Sequence, residues 1–156
     1  MKNLLIYLAL FGNSLGAVAQ PLEIQLNKKH FWQTKPGVSY DGFDATTYFE
    51  GKPVKGKKEI SLYYKGISYW FANQKNKATF EVNPDKYGPA YGGWCAYAIG
   101  AKGEKVEPDP ENFKILNGRV YLFYKNLFSN TLDDWNKEEK KLKTSADLNW
   151  ESKIYK

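Results

Sequence analysis

Two runs of alternating apolar residues predict a β-hairpin in the first half of the chain. Every second residue of these runs is apolar: Ile60, Leu62 and Tyr64, then Ile67, Tyr69 and Phe71. A period of two is typical of strands that bury one face. The two residues between the runs, Lys65 and Gly66, suit a tight hairpin connection.

A second hairpin is predicted around Asn117 and Gly118. This dipeptide favours a type I′ turn, in which both central residues have positive φ. The flanking strands are predicted over residues 113–116 and 119–124. The sequence shows no internal repeat, unless the two hairpins count as a weak duplication. The pattern predicts an α+β fold, with one small antiparallel sheet made from the two hairpins and short helices around it.

A helix is predicted after the first hairpin, beginning beyond Asn73. Asparagine is a favoured N-cap residue, and Asn83-Pro84 ends the helix because the residue before proline disfavours the helical conformation. The side chains expected to face inward are Ala78, Phe80 and Val82. Upstream of the hairpin, Asp44 is expected to cap a short helix over residues 45–49.

A longer amphipathic C-terminal helix is predicted over residues 127–143. Its lysines lie on one side, and the apolar residues at helical spacing on the other are Phe128, Leu132, Trp135 and Leu142. A last short helix is expected to begin at Ser145 and to pack Leu148 and Trp150 against the domain.

Residues 1–19 have the pattern of a secretory signal peptide. Lys2 is followed by an apolar run over residues 4–11 and by a small-residue cleavage site at 17–19. This run is too short to span a bilayer, so no transmembrane segment is expected after cleavage. We expect an exported protein, periplasmic or extracellular, with residues 20–39 as an irregular N-terminal arm and 40–156 as one domain.

The charge of the chain is positive, but its basic residues are almost all lysine. The formal net charge is +6, and Arg119 is the only arginine. Because bidentate recognition of phosphate usually relies on arginine, nucleic acid is not an expected partner.

The stretch at residues 87–100 holds the only cysteine, Cys95, among aromatic residues and paired glycines. One cysteine cannot close an intrachain disulfide. A zinc site needs three or four cysteine or histidine ligands, and the mature chain offers only Cys95 and His30. Soft Cu(I) prefers sulfur ligands, but the only methionine is Met1. A copper or zinc ion would therefore occupy a weak or shared site.

The chain resembles exported YHS-domain proteins through five blocks in the same order. They read YDGFDATTYF at 40–49, GKPVKG at 51–56, YWFA at 69–72, NPDKY at 83–87 and YGGWCAYA at 91–98. The resemblance implies a small hairpin-and-helix module, found beside metal transport and oxidation systems and suspected of binding metal. Metal-binding relatives have cysteines where residues 71–76 read FANQKN, and the Tyr-His-Ser triplet is missing. No metal ligand set therefore transfers residue by residue.

Several roles remain open for the central stretch. Cys95 is either a small buried core residue, a functional thiol or a site of intermolecular disulfide formation. Its aromatic neighbours either belong to the core or line a pocket for a flat organic ligand or a cation. The candidate ligand-binding residues around the thiol are Asp44, Tyr91, Gly92, Gly93, Trp94 and Tyr97.

We therefore expect a non-enzymatic, exported binding or accessory module, linked to metal handling through Cys95. Its partner would be a small ligand or a metal-handling protein. The alternatives are a small-ligand binder with an aromatic pocket and a thiol-dependent enzyme. A thiol enzyme needs a base close to its nucleophile, and His30 is the only histidine available.

Overall fold

The computed structural model describes residues 21–156, so the predicted signal peptide lies outside the described residues. The elements, in chain order, are α1 Leu22–His30, β1 Lys57–Tyr64, β2 Ile67–Phe71, α2 Gln74–Val82, α3 Ala96–Lys102, β3 Asp109–Leu116, β4 Arg119–Phe123, α4 Thr131–Lys137 and α5 Glu139–Asn149, followed by a π-helical turn at Trp150–Ile154. The α+β class is confirmed. None of the helices in this range has the length and apolarity needed to cross a membrane.

Both predicted hairpins form, but as two separate two-stranded antiparallel sheets. Strand β4 packs against side chains through both of its faces. Val120 and Leu122 lie in one hydrophobic core with β2, whereas Tyr121 and Phe123 lie in a second core. Helix α5 closes that second core through Leu142. Strand β4 therefore lies between the two cores.

The two hairpins share one register, including a bulge at the same place. After the first strand pair in each, the register shifts before regular pairing resumes. The equivalent pairs are Lys57 with Phe71 and Asp109 with Phe123, then Ser61 with Trp70 and Phe113 with Leu122. The weak duplication in the sequence is thus a detailed structural one.

The duplication includes the turn that precedes each hairpin. Tyr40 and Asp41 have φ of 54° and 52°, and Tyr91 and Gly92 have φ of 51° and 60°. Such left-handed backbone is uncommon for residues other than glycine, so its occurrence in two matching places marks one repeated unit.

The residues that follow these turns are also equivalent. The Asp44 N–H donates to the Val54 carbonyl at 2.8 Å, and the Cys95 N–H donates to the Val106 carbonyl at 3.0 Å. Both side chains are fully buried. Asp44 and Cys95 therefore occupy the same position in the two halves of the duplication.

The N-terminal arm, predicted to be irregular over residues 20–39, is helical at Leu22–His30 and non-helical over residues 31–38. Helix α1 begins directly after Pro21, since proline is tolerated at a helix start, where its missing N–H has no intrahelical partner. Asn27 and His30 turn inward from α1. Pro36 and Gly37 lie in the non-helical part of the arm, whereas Pro21 only precedes the helix.

The prediction of one helix over residues 127–143 was wrong. Asn130 caps α4 by accepting the Leu132 N–H at 3.2 Å, and the non-helical backbone of Glu138 separates α4 from α5. Phe128 lies outside both helices and is exposed. No new helix begins at Ser145, because α5 runs through it.

Three side chains predicted to face inward are instead exposed. In α2 only Phe80 is buried, while Ala78 and Val82 face solvent. Leu148 is also exposed, whereas Trp150 packs against the second core. Ala78 and Val82 lie one helical turn apart and on the opposite side of α2 from Phe80, so a helix that buries Phe80 exposes both of them.

Candidate functional site

The Cys95 thiol is buried and hydrogen-bonded. Its sulfur accepts the Tyr124 N–H at 3.3 Å and lies 3.4 Å from the Thr131 hydroxyl oxygen. The Thr131 hydroxyl donates its proton to the Tyr124 carbonyl at 2.9 Å. The thiol must therefore donate to Thr131, so both its donor and its acceptor are occupied.

Asp44 makes the corresponding contacts in the first half of the duplication. One carboxylate oxygen accepts the Thr46 N–H at 3.0 Å and the Thr46 hydroxyl at 2.7 Å. The other accepts the Ala72 N–H at 2.8 Å and the Asn76 side-chain amide at 2.7 Å. Ala72 directly follows β2, and Tyr124 directly follows β4. Asp44 and Cys95 therefore each accept a backbone N–H at the end of a hairpin. Asp44 does not cap an α-helix; the short 3₁₀ turn nearby spans Thr47–Glu50.

His30 lies in a separate cluster at the end of α1. Its Nδ1 is 3.0 Å from the Lys105 ammonium and its Nε2 is 3.0 Å from the Lys156 carbonyl. An ammonium group can only donate, so Nδ1 accepts and Nε2 donates, as in a neutral imidazole. Burial lowers the pKa of His30, and the positive charge of Lys105 acts in the same direction.

Cys95 and His30, the predicted metal ligands, and Asp44, a predicted ligand-binding residue, have no hydrogen-bonding partner in common. Within the part of the chain that the structure describes, no three or more His, Cys, Asp or Glu side chains are grouped closely enough to hold an ion. The thiol and the carboxylate are structural acceptors in this arrangement.

Acidification is expected to destabilise the protein through His30. Because its pKa is lower in the folded state, the unfolded chain takes up the proton first, and stability falls as the pH drops below the ordinary histidine pKa of about 6.5. Urea unfolding followed at about pH 7.5 and about pH 5.5 measures this loss. A His30→Gln variant should lose less stability over the same interval; an identical loss in both proteins would contradict the assignment.

Trp94, Gly93 and Tyr97 lie in three different environments. The Trp94 indole N–H donates to the His30 carbonyl at 2.6 Å. Gly93 packs against Pro89 and Trp32. Tyr97 is half-buried beside Cys95 at an apolar hollow of about 250 Å³. These residues thus do not form one site around the thiol.

Tyr91 and Gly92 line a cavity of about 200 Å³ between α1 and the C-terminal segment, residues 150–156. We refer to this cavity as the seam pocket. Six aromatic side chains contribute to its wall: Phe31, Tyr64, Tyr69, Tyr91, Trp150 and Tyr155. Of the candidate ligand-binding residues, only Tyr91 and Gly92 lie here.

The two ends of the described chain meet at the seam pocket. Asn27 of α1 donates to the Lys65 carbonyl at 2.8 Å and accepts the Tyr155 hydroxyl at 2.7 Å. Tyr155 stacks on Trp150 with ring centroids 5.4 Å apart. Asn27 therefore joins the first hairpin turn to the C-terminal segment and closes one side of the pocket.

Gly92 allows Phe31 and Trp150 to approach each other closely. A Cβ atom at this position would lie 2.9 Å from both the Phe31 and the Trp150 rings. Its φ of 60° is also in the left-handed region that favours glycine. The two aromatic walls of the seam pocket thus meet over a position without a side chain.

The charges at the seam pocket are unequally paired. The Lys65 ammonium lies 2.9 Å from both Glu23 and Asp85, and these hydrogen bonds, with Asp85 the stronger contributor, raise the pKa of Lys65. Arg119 forms no ion pair with any residue in 21–156, and its guanidinium donates only to the Pro89 carbonyl, at 3.4 Å. The four charged side chains of the wall, Glu23, Asp85, Lys65 and Arg119, sum to zero, and Arg119 is the one among them without an ion-pair partner in the described residues.

Sequence reasoning missed Phe31, Tyr155 and Arg119 as pocket residues. Phe31 and Tyr155 are far apart in the sequence, and no local pattern pairs them. The available signal was the single arginine, which stands out in a lysine-rich chain.

Comparison of the chain with family models, with curated proteins and with solved structures gives no match.

Proposed function

We propose that the chain is an exported, non-enzymatic binding module, related to YHS-domain proteins, whose seam pocket takes a small flat aromatic molecule with a carboxylate group. The observation that carries the proposal is the wall of six aromatic side chains with one unpaired arginine at its edge. Concave cavities that combine aromatic side chains with a few placed polar groups are typical of small-ligand sites.

The size and shape of the pocket favour a single ring. A cavity of about 150 Å³ holds a benzene molecule, so the 200 Å³ of the seam pocket accommodates one ring with a small substituent. Offset-stacked and edge-to-face contacts with Trp150 and Tyr91 would orient the ring.

The position of the charges favours a carboxylate at the Arg119 end of the pocket. Lys65 is already paired with both Glu23 and Asp85, whereas the Arg119 fork has no carboxylate partner among residues 21–156 and matches the geometry of a carboxylate. The resemblance to YHS-domain proteins also led us to expect metal handling through Cys95. The occupied hydrogen bonds of the thiol favour the seam pocket over that role.

Calorimetric titration with benzoate, benzamide and benzylammonium tests the proposal. We expect benzoate to bind most tightly, and Arg119→Gln to weaken benzoate binding about tenfold, because a charge-assisted hydrogen bond contributes at least about 1.5 kcal/mol. Binding of benzamide should change much less in this variant.

A matched control is Lys140→Gln, which removes an exposed positive charge on α5, away from the pocket wall. It should leave benzoate binding unchanged. Absence of binding by all three compounds would refute the aromatic pocket, while equal binding of benzoate and benzylammonium would refute only the carboxylate preference.

A further inference from the structure

We propose that the turn after β4, residues 125–130, docks the protein on an anionic lipid bilayer. Its tip carries the two most exposed large apolar side chains of the described residues, Leu127 at 95% and Phe128 at 94% exposure. They are adjacent in the chain, in a turn outside the helices and strands. Adjacent apolar residues at an exposed tip mark an interaction site rather than an ordinary surface.

The turn holds these side chains outward by its own hydrogen bonds. The Asn126 side-chain oxygen accepts the N–H groups of Phe128 at 2.9 Å and Ser129 at 2.8 Å. The Asn126 N–H donates to the Ser129 carbonyl at 2.9 Å, and an antiparallel bridge joins Lys125 to Asn130. The tip is therefore preorganised.

The same hydrogen bonds suit the tip to an apolar medium. Inserting backbone into the bilayer interface is costly when N–H groups lose their water partners. Three N–H groups of this turn, on Asn126, Phe128 and Ser129, already have acceptors within it. Leu127 and Phe128 can thus leave water with little loss of hydrogen bonding.

The surroundings of the tip match an anionic headgroup layer. Lys125 and Lys102 are exposed and make no ion pair within the described range. Lys102 borders the apolar hollow that also includes Tyr97 and Tyr124. Lysine and tyrosine are suited to the headgroup level, with their apolar parts toward the lipid chains. The net charge of +6 adds attraction at longer range.

Cosedimentation with vesicles tests this docking. We expect the full chain to bind vesicles of phosphatidylcholine mixed with phosphatidylglycerol, and to bind pure phosphatidylcholine vesicles more weakly. The double variant Leu127→Ser, Phe128→Ser should reduce vesicle binding about tenfold or more, because it removes the two apolar side chains that enter the bilayer. Lys125→Glu should weaken binding only to the anionic vesicles.

The control is Val82→Ser, which removes an apolar side chain that is 87% exposed on α2. The proposal would be overturned if Val82→Ser weakened vesicle binding as much as the double variant does, or if the unchanged protein did not bind vesicles. As a second readout, brominated lipid should quench the tryptophan fluorescence that Phe128→Trp adds to that of the unchanged protein. Strong vesicle binding without such quenching would show that another surface makes the contact.

Discussion

Alanine in place of Asp44 is expected to lower the free energy of unfolding by roughly 3–5 kcal/mol. The carboxylate is fully buried and accepts four hydrogen bonds. Its removal would leave the buried N–H and hydroxyl of Thr46 without their acceptor, together with the partly buried Ala72 N–H and Asn76 amide. A buried donor left unsatisfied costs its full desolvation free energy.

Urea unfolding, followed by circular dichroism, measures this effect. Asp44→Asn is the matched variant, because it keeps the shape and one acceptor oxygen, and it should lose less stability than alanine. Cys95→Ala at the equivalent position should cost only about 1–2 kcal/mol, since the thiol makes weaker, neutral hydrogen bonds. A loss below about 1 kcal/mol for Asp44→Ala would contradict its role as the anchor of the first hairpin.

The second large effect is expected for Gly92→Ala, which should destabilise the fold by about 2–3 kcal/mol and abolish benzoate binding. A left-handed φ costs a residue with a Cβ atom about 1 kcal/mol or more. The new methyl group would also lie 2.9 Å from Phe31 and Trp150, so both rings must move. Their movement would open the seam pocket.

Gly37→Ala separates these two causes. Gly37 also has positive φ, at 83°, but a Cβ atom there meets nothing within 4 Å. This variant should therefore show only the backbone cost and should bind benzoate as the unchanged protein does. Equal losses of stability in the two variants, measured by urea unfolding, would show that the aromatic contacts at Gly92 are not tight.

The hairpins could be predicted because their signals are local. Lys65 and Gly66 have φ of 46° and 89°, and Asn117 and Gly118 have φ of 51° and 73°, so both connections have the positive φ values expected of type I′ turns. The alternating residues Ile67, Tyr69 and Phe71 are buried as expected. Neighbouring residues determine both features, and no long-range contact has to be known.

The C-terminal helix was less predictable because two local signals competed. The spacing of Phe128 and Leu132 fits a helix, yet Asn126 and Asn130 favour a turn and an N-cap. The asparagine side chains satisfy backbone N–H groups that a helix would leave unpaired at its start. Phe128 is consequently exposed to solvent, and the helix predicted from the apolar spacing began too far upstream.

The candidate site could not be predicted from the residues around Cys95. A signal for the duplication was present, since Tyr-Asp-Gly-Phe-Asp-Ala at 40–45 and Tyr-Gly-Gly-Trp-Cys-Ala at 91–96 share tyrosine, glycine and alanine positions. It aligns Cys95 with Asp44 and thereby indicates a structural role. The seam pocket depends instead on Phe31 meeting Trp150 across Gly92, which only the tertiary structure reveals.

The contact of Asn27 with Tyr155 joins residues separated by 128 positions. Closing so large a loop carries a high entropic cost, and it is compensated only after the intervening chain has adopted its final shape. We consequently expect the seam pocket to form late in folding. A chain halted partway, with both hairpins and their cores complete, would have most of its secondary structure and no seam pocket.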